Sequence, residues 1–234
     1  MIPYLDLSAW PVPPFPLLVA AGVAVGHWLF IRRARAAALH RTVAGDVSLC
    51  LVAGGFAGAI LGKSLYFPAE TAWRFHGLSS FGGLAGGLLA SVLYFVLRRL
   101  NPWPYLDAAA FAFPSAWALG RLGCALAHDH PGVRSDRWFA VAYPGGARFD
   151  LGLLEFLFTV AIVILFRWLD RSRRETGFYL AVLLLLYGPF RVSLDLLHVD
   201  PPAYWGWPVD RLCGLAVLVL GILALYNLRV RRCE

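Results

Sequence analysis

The chain has 234 residues, 59% of them hydrophobic and 15% charged, with a formal net charge of +7. This is too apolar for a soluble domain of ordinary composition. The positive balance, which alone would suit a nucleic-acid binder, is instead laid out as a membrane topology signal, and the four scattered cysteines (Cys50, Cys124, Cys213, Cys233) form neither a CxxC pair nor a disulfide framework.

The N-terminal stretch carries Asp6 and no basic residue, and no small-residue cleavage site follows the first apolar run. It therefore reads as a retained membrane helix rather than a cleaved leader. A helix needs about 20 mostly apolar residues to cross the hydrocarbon core. Seven such stretches follow in chain order: 13–31, 46–66, 81–97, 105–127, 151–169, 177–197 and 209–228. The segment 128–150 is the longest polar excursion and is expected to form a small cap or short strands.

Orientation comes from arginines beside the spans. Arg32, Arg33, Arg35 and Arg41 lie between spans one and two, and Arg98 and Arg99 follow span three. Arg171, Arg173 and Arg174 follow span five, and Arg229, Arg231 and Arg232 form the tail. If seven spans alternate, all four segments share one side, predicted to be the cytoplasm. The N-terminus and the aromatic, proline-rich segments around Trp138 and Pro201–Pro208 then face outward. The fold class is thus an all-α integral membrane protein, a bundle of about seven transmembrane helices. It is multi-pass in a bacterial inner membrane, with a periplasmic N-terminus and a cytoplasmic C-terminus. No linker, repeat or low-complexity tract divides it, so a single transmembrane domain over 1–234 is expected.

Small residues recur at four-residue spacing: Gly22/Gly26, Gly54/Gly58/Gly62, Gly82/Gly86 and Gly83/Gly87. In lipid this spacing lets helix backbones approach closely, and close packing is the expected role of most of them.

Ionisable groups inside a span are costly and by default suggest function. Counting rise along each helix places Lys63, Arg121, Arg191 and Asp195, with Asp129, Asp210 and Arg211 at helix ends, at one outer level. Structural ion pairs, such as Arg191 with Asp195 at i, i+4, or snorkelling to the interface would account for some of this. The sharper reading is an anion site, because Arg stays charged when desolvated and its planar fork fits a phosphate. Three positive charges with one or two carboxylates leave a surplus, and a phospholipid headgroup is the most available anion.

Four motifs carry a family resemblance. Gly77–Gly87 (GLSSFGGLAGG), Gly120–Gly132 (GRLGCALAHDHPG), Tyr187–Asp195 (YGPFRVSLD) and Gly58–Phe67 (GAILGKSLYF) resemble segments of prolipoprotein diacylglyceryl transferases, in order and spacing over nearly the whole chain. The resemblance implies transfer of a diacylglyceryl group from phosphatidylglycerol to the thiol of a lipobox cysteine at the outer face of the membrane, with glycerol phosphate leaving. Its expected partners are phosphatidylglycerol, prolipoprotein signal peptides and membrane lipids, with no cofactor, metal or nucleic acid. Carried over by position, Arg121 and Arg191 would hold the lipid phosphate, Asp129 would be the signature acid and Gly132 the signature glycine. Lys63 would stand for an Arg of the second helix, and Gly82, Gly83 and Asp195 would complete the lipid site.

The sequence departs from that pattern at the proton-handling positions. Phe81 stands where the family has His, Cys124 replaces Asn, and the polar segment opening span five is reduced to Phe149–Glu155 (FDLGLLE), with Glu155 its clearest survivor. A thiol with a reference pKa of about 8.5 must lose its proton to attack. His128 and His130, flanking Asp129, are candidate bases on chemical grounds; ordinary solvated loop histidines are the plainer alternative. The alternative function is an accessory membrane protein that binds anionic phospholipid without catalysis. A transporter would need inverted repeats or matched broken helices, which the sequence lacks.

Overall fold

The computed structural model describes residues 1–5, 14–66, 79–199, 203–204 and 207–233. Among these lie seven helices, each long and apolar enough to cross a membrane: α1 (Pro14–Ala36), α2 (Arg41–Tyr66), α3 (Ser80–Arg98), α4 (Trp103–Ala127), α5 (Leu151–Leu169), α6 (Phe178–Asp195) and α7 (Val209–Cys233). The shortest, α6, has 18 residues, which at 1.5 Å each reach about 27 Å, close to a hydrocarbon core. Five short strands complete the order: β1 (Pro131–Arg134), β2 (Val141–Tyr143) and β3 (Gly146–Asp150) between α4 and α5, then β4 (Ala203–Tyr204) and β5 (Trp207–Pro208) before α7.

The predicted spans and these helices differ chiefly where Arg flanks the apolar run. α2 starts at Arg41 rather than 46, and α7 continues to Cys233. Apolarity marks the lipid-facing length. Backbone hydrogen bonding continues past it, because arginine stems pack on the helix while their heads reach water.

The chain forms two compact units. The first comprises 29–109. Here α2 and α3 pack through their glycines: a Cβ on Gly54 would stand 2.7 Å from the Gly86 carbonyl oxygen, and one on Gly62 would stand 2.9 Å from the Gly82 Cα. Gly58 is closer still to Gly82 and Gly86, so the backbones touch where any side chain would wedge them apart. Ser79 caps α3 by accepting from the Gly82 N–H at 3.0 Å, and Tyr94 donates to Asp46 at 2.7 Å. Leu89, Leu93 and Leu97 face outward and exposed, as lipid-facing positions should.

The second unit comprises 1–28 and 110–234. Its core joins α4, α5 and α6 through Ala110, Ile162, Phe166, Tyr179 and Leu183, with Phe111 edge-on to Tyr179 at 4.9 Å. α6 meets α7 at glycine: a Cβ on Gly188 would lie 2.8 Å from the Leu218 nitrogen and 2.9 Å from the Gly214 oxygen. That contact brings the start of α7 beside the end of α6.

The polar excursion forms an antiparallel sheet in the order β1-β3-β2, so short strands do occur at 128–150. Both of its edges are paired. Ile2 bridges Val141 in parallel, and Gly132 bridges His198 antiparallel. The second bridge requires glycine, because a Cβ there would lie 2.8 Å from the Leu197 oxygen and 3.0 Å from the Phe149 oxygen. The cap therefore fixes the chain leaving α6 against the chain leaving α4.

Candidate functional site

The site centres on Glu155, an acid in the second turn of α5 whose side chain is 1% exposed. An isolated carboxylate so buried would be heavily penalised, and four donors surround this one. Trp117 Nε1 and the Tyr187 hydroxyl donate to Oε1 at 2.9 and 2.7 Å. Arg121 Nη2 and Arg191 Nη1 reach Oε2 at 3.1 and 3.2 Å. Helical spacing explains how so few elements supply them. Trp117 and Arg121 are four apart on α4, and Tyr187, Arg191 and Asp195 are four apart on α6, so each set shares a helix face. The Arg121 guanidinium also lies over the Trp117 ring, 5.0 Å from its centroid.

A second layer comes from α7. Arg191 Nη2 pairs with Asp210, and Arg211 Nε donates to Asp195 Oδ2 at 3.0 Å. The expected i, i+4 pair between Arg191 and Asp195 is thus not formed; each takes a partner from another element. Glu155 and Asp210 balance Arg121 and Arg191; the third charge of the expected surplus, Lys63, has its side chain outside the described residues. Of these partners the Asp210 side chain is the more open, at 19% exposure.

From Arg121 the site continues toward the cap. Arg121 Nη1 lies 3.9 Å from Cys124 Sγ, and Cys124, Asp129 and His130 hold ligating atoms within 4.8 Å of one another. Asp129 and His130 pair directly and are both exposed. Asp195, His198 and Asp210 form another such group. Both of its carboxylates already hold guanidinium groups, so a cation there would compete with Arg191 and Arg211.

His128 is differently engaged. Its Nδ1 lies 2.6 Å from Asp150 Oδ2, which also accepts from the Tyr143 hydroxyl at 2.9 Å. Its Nε2 accepts from the Leu5 N–H at 3.3 Å, and Tyr4 stacks on the ring at 4.6 Å. Asp150 Oδ1 in turn accepts from the Leu153 N–H at 2.9 Å, capping α5. Burial and the Asp150 charge push the Tyr143 phenol well above its usual pKa. His128 therefore ties the N-terminus, the cap and α5 together.

A cavity of about 500 Å³ opens beside this group, with Asp129, His130, Tyr143, Arg148 and His198 in its wall. Arg148 is steadied by donating to the Gly132 oxygen at 3.1 Å. Burial, followed by the charge of Arg191, holds the His198 imidazole below its ordinary pKa, which keeps it neutral near pH 7.

Of the residues singled out from sequence, Arg121, Arg191 and Asp195 lie in or beside the Glu155 cluster, and Asp129 and His130 line the cavity. Gly132 shapes the cap edge. Gly82 and Gly83 pack against α2 within the other unit. The Lys63 side chain lies outside the described residues. Sequence reasoning gave no site role to Trp117, Tyr187 or His198, and it named Glu155 and Asp210 without assigning them to the site. One signal was present: Glu155 is the one acid within the highly apolar run 151–169, where an unpartnered charge is untenable.

The family model for prolipoprotein diacylglyceryl transferase matches residues 4–227. The phosphatidylglycerol–prolipoprotein diacylglyceryl transferase of Chromohalobacter salexigens is 29% identical over 211 residues, covering 85% of this chain and 79% of its own. That of Mannheimia succiniciproducens is 27% identical over 209 residues, covering 82% and 77%. The Symbiobacterium thermophilum enzyme of the same name is 24% identical over 253 residues, covering 96% and 92%.

Proposed function

The chain belongs to the prolipoprotein diacylglyceryl transferase family, and from that premise we propose that it moves the diacylglyceryl group of phosphatidylglycerol onto the lipobox cysteine thiol of a prolipoprotein. On this reading the reaction runs at the outer face of the bacterial inner membrane. The observation that carries the reading is the meeting of Arg121 and Arg191, from two helices, on one buried carboxylate.

Glu155 holds two like-charged forks side by side in fixed orientation, which they would not keep unaided. Arriving phosphatidylglycerol brings a phosphodiester anion. It takes Arg191 Nη2 from Asp210, the more exposed of the two acidic partners, while Glu155 keeps both guanidiniums in place. Thiolate attack at the glyceryl carbon then forms the carbon–sulfur bond and breaks the carbon–oxygen bond. The charge gathering on the departing glycerol phosphate is met by donors already oriented, so little reorganisation is needed during reaction.

The direct test is expression in a strain depleted of its own transferase, read as the mass of a model lipoprotein. A gain of one diacylglyceryl group, lost in Arg121→Lys and Arg191→Lys, is expected, because Lys cannot reproduce the planar fork. An unshifted lipoprotein with the protein correctly inserted rejects the reading.

A further inference from the structure

The three described histidines near the Glu155 cluster and the cap are not equivalent. His128 has both ring nitrogens occupied, by Asp150 and by the Leu5 N–H. His130 is exposed and bonded to Asp129. His198 differs from both: its Nδ1 is buried and has no hydrogen-bond partner among the described residues, while the residue is part of the cavity wall. A buried ring nitrogen without a partner costs free energy, and on a residue that lines a cavity it suits a group kept uncommitted for a ligand or a proton.

Resting on the transferase reading above, we propose that His198 is the base that removes the acceptor thiol's proton, and that the cavity bounded by Asp129, His130, Arg148 and His198 receives the acceptor cysteine. The placement suits the step. His198 reaches within 4.8 Å of the Asp210 carboxylate, which itself pairs with the phosphate-binding Arg191. The thiol end and the phosphate end of the reaction therefore adjoin. The backbone of His198 is held by its bridge to Gly132, which keeps its Cα beside the cap.

The charged groups facing the ring act in both directions. Arg191 from α6 and His130 from the cap oppose its protonation, while Asp195 from α6 and Asp210 from α7 favour it. Arg148 and Asp129 complete the cavity's charges. Before reaction the neutral ring can accept a proton, and once formed the imidazolium is held by two carboxylates. The step balances. The thiol proton passes to His198, the thiolate sulfur bonds to the glyceryl carbon, and the carbon–oxygen bond breaks toward phosphate. The imidazolium then returns its proton to the glycerol phosphate that leaves.

The test uses the full-length protein in nanodiscs containing phosphatidylglycerol, with two synthetic lipobox peptides, one bearing cysteine and one selenocysteine. A selenol ionises unaided at neutral pH, so it does not need the base. His198→Gln is expected to lower kcat/KM for the thiol peptide about 100-fold, the low end of what a positioned base contributes. It should transfer to the selenol peptide within a few-fold of the unaltered protein, with bound phosphatidylglycerol retained. Equal loss toward both peptides, or unchanged transfer to the thiol, overturns the assignment while leaving the transferase reading intact. No transfer by the unaltered protein to either peptide overturns both. The unaltered protein alone supplies a second measurement that no folding defect can confuse. Its kcat/KM should fall toward acid with a midpoint below about 6.5, the ordinary histidine value; a limb tracking the thiol near pH 8.5 overturns the proposal.

Discussion

Glu155 is the residue on which the site's charges depend. Removing one partner from a buried ion cluster costs far more than the cluster contributes, because the remaining charges stay desolvated and unpaired. Glu155→Gln should therefore lower unfolding stability in detergent by about 3–5 kcal/mol. Added phosphatidylglycerol should restore more stability to this variant than to the unaltered protein, since a phosphodiester on Arg121 and Arg191 supplies the negative charge that the amide lacks. Asp210→Asn should also favour the lipid: with no anion competing for Arg191 Nη2, phosphatidylglycerol binds several-fold more tightly in a fluorescent-lipid displacement assay. His198 adds a pH dependence to stability. Its folded pKa is lowered, so the unfolded chain binds the proton more readily. The contribution is present above about 6.5, the unfolded value, and is lost as pH falls through the folded one. His198→Gln should flatten the acid limb of a thermal-unfolding series below pH 6.5. None of the partner choices behind these predictions was legible in the sequence. Counting charges placed Arg121, Arg191 and Asp195 at one level, yet long-range attraction does not say which acid holds which base. Arg191 chose Glu155 and Asp210 over the acid one turn along its own helix.

At the scale of elements, the helices were legible and the contacts between them were legible only where a pattern repeats within one helix. Runs of apolar residues long enough for a bilayer admit one secondary structure, since every backbone group must be satisfied internally. The repeating glycines of α2 and α3 announced a close interface, and the structure pairs Gly54 with Gly86 and Gly58 with Gly82. The α6–α7 contact rests instead on Gly188, Gly214 and Gly221, which include no four-residue spacing within a single helix, so the pattern used for α2 and α3 did not reveal it. The cap strands lacked a signal of another kind: strands of three to five residues are too short for alternation to stand out. The glycine contacts predict a contrast inside one helix. Gly58→Ala should destabilise α2–α3 packing by about 1–3 kcal/mol, as overpacking does, lowering the detergent melting temperature and the yield. Gly45→Ala, whose added methyl meets nothing within 4 Å, should be neutral or stabilise by up to about 1 kcal/mol through helix propensity.

At the scale of the whole molecule, the chain belongs to the family and its seven helices are long and apolar enough to span a membrane, and the direction of insertion is an expectation from charge. Four arginine-rich segments lie at alternate span ends. Carrying that many guanidiniums across a bilayer is unfavourable at each one, so the four biases add and oppose any inverted topology. The transferase chemistry sets an independent requirement, because the acceptor cysteine of a secreted precursor becomes accessible only outside. The cap holding Asp129, His130 and His198 must then lie on the side opposite the arginines. Odd span number and loop order make these two requirements the same statement about one chain. Single cysteines introduced into a background without Cys50, Cys213 and Cys233 separate the possibilities. Asp136→Cys, exposed between β1 and β2, should react with a membrane-impermeant maleimide in intact cells with a permeable outer layer. Ser172→Cys, exposed between α5 and α6, should react only after the inner membrane is opened. Labelling in the reverse order would leave the helices and the Glu155 cluster as described, but it would put the cavity on the wrong side of the membrane for a secreted acceptor. The charge rule and the proposed chemistry would then fail together.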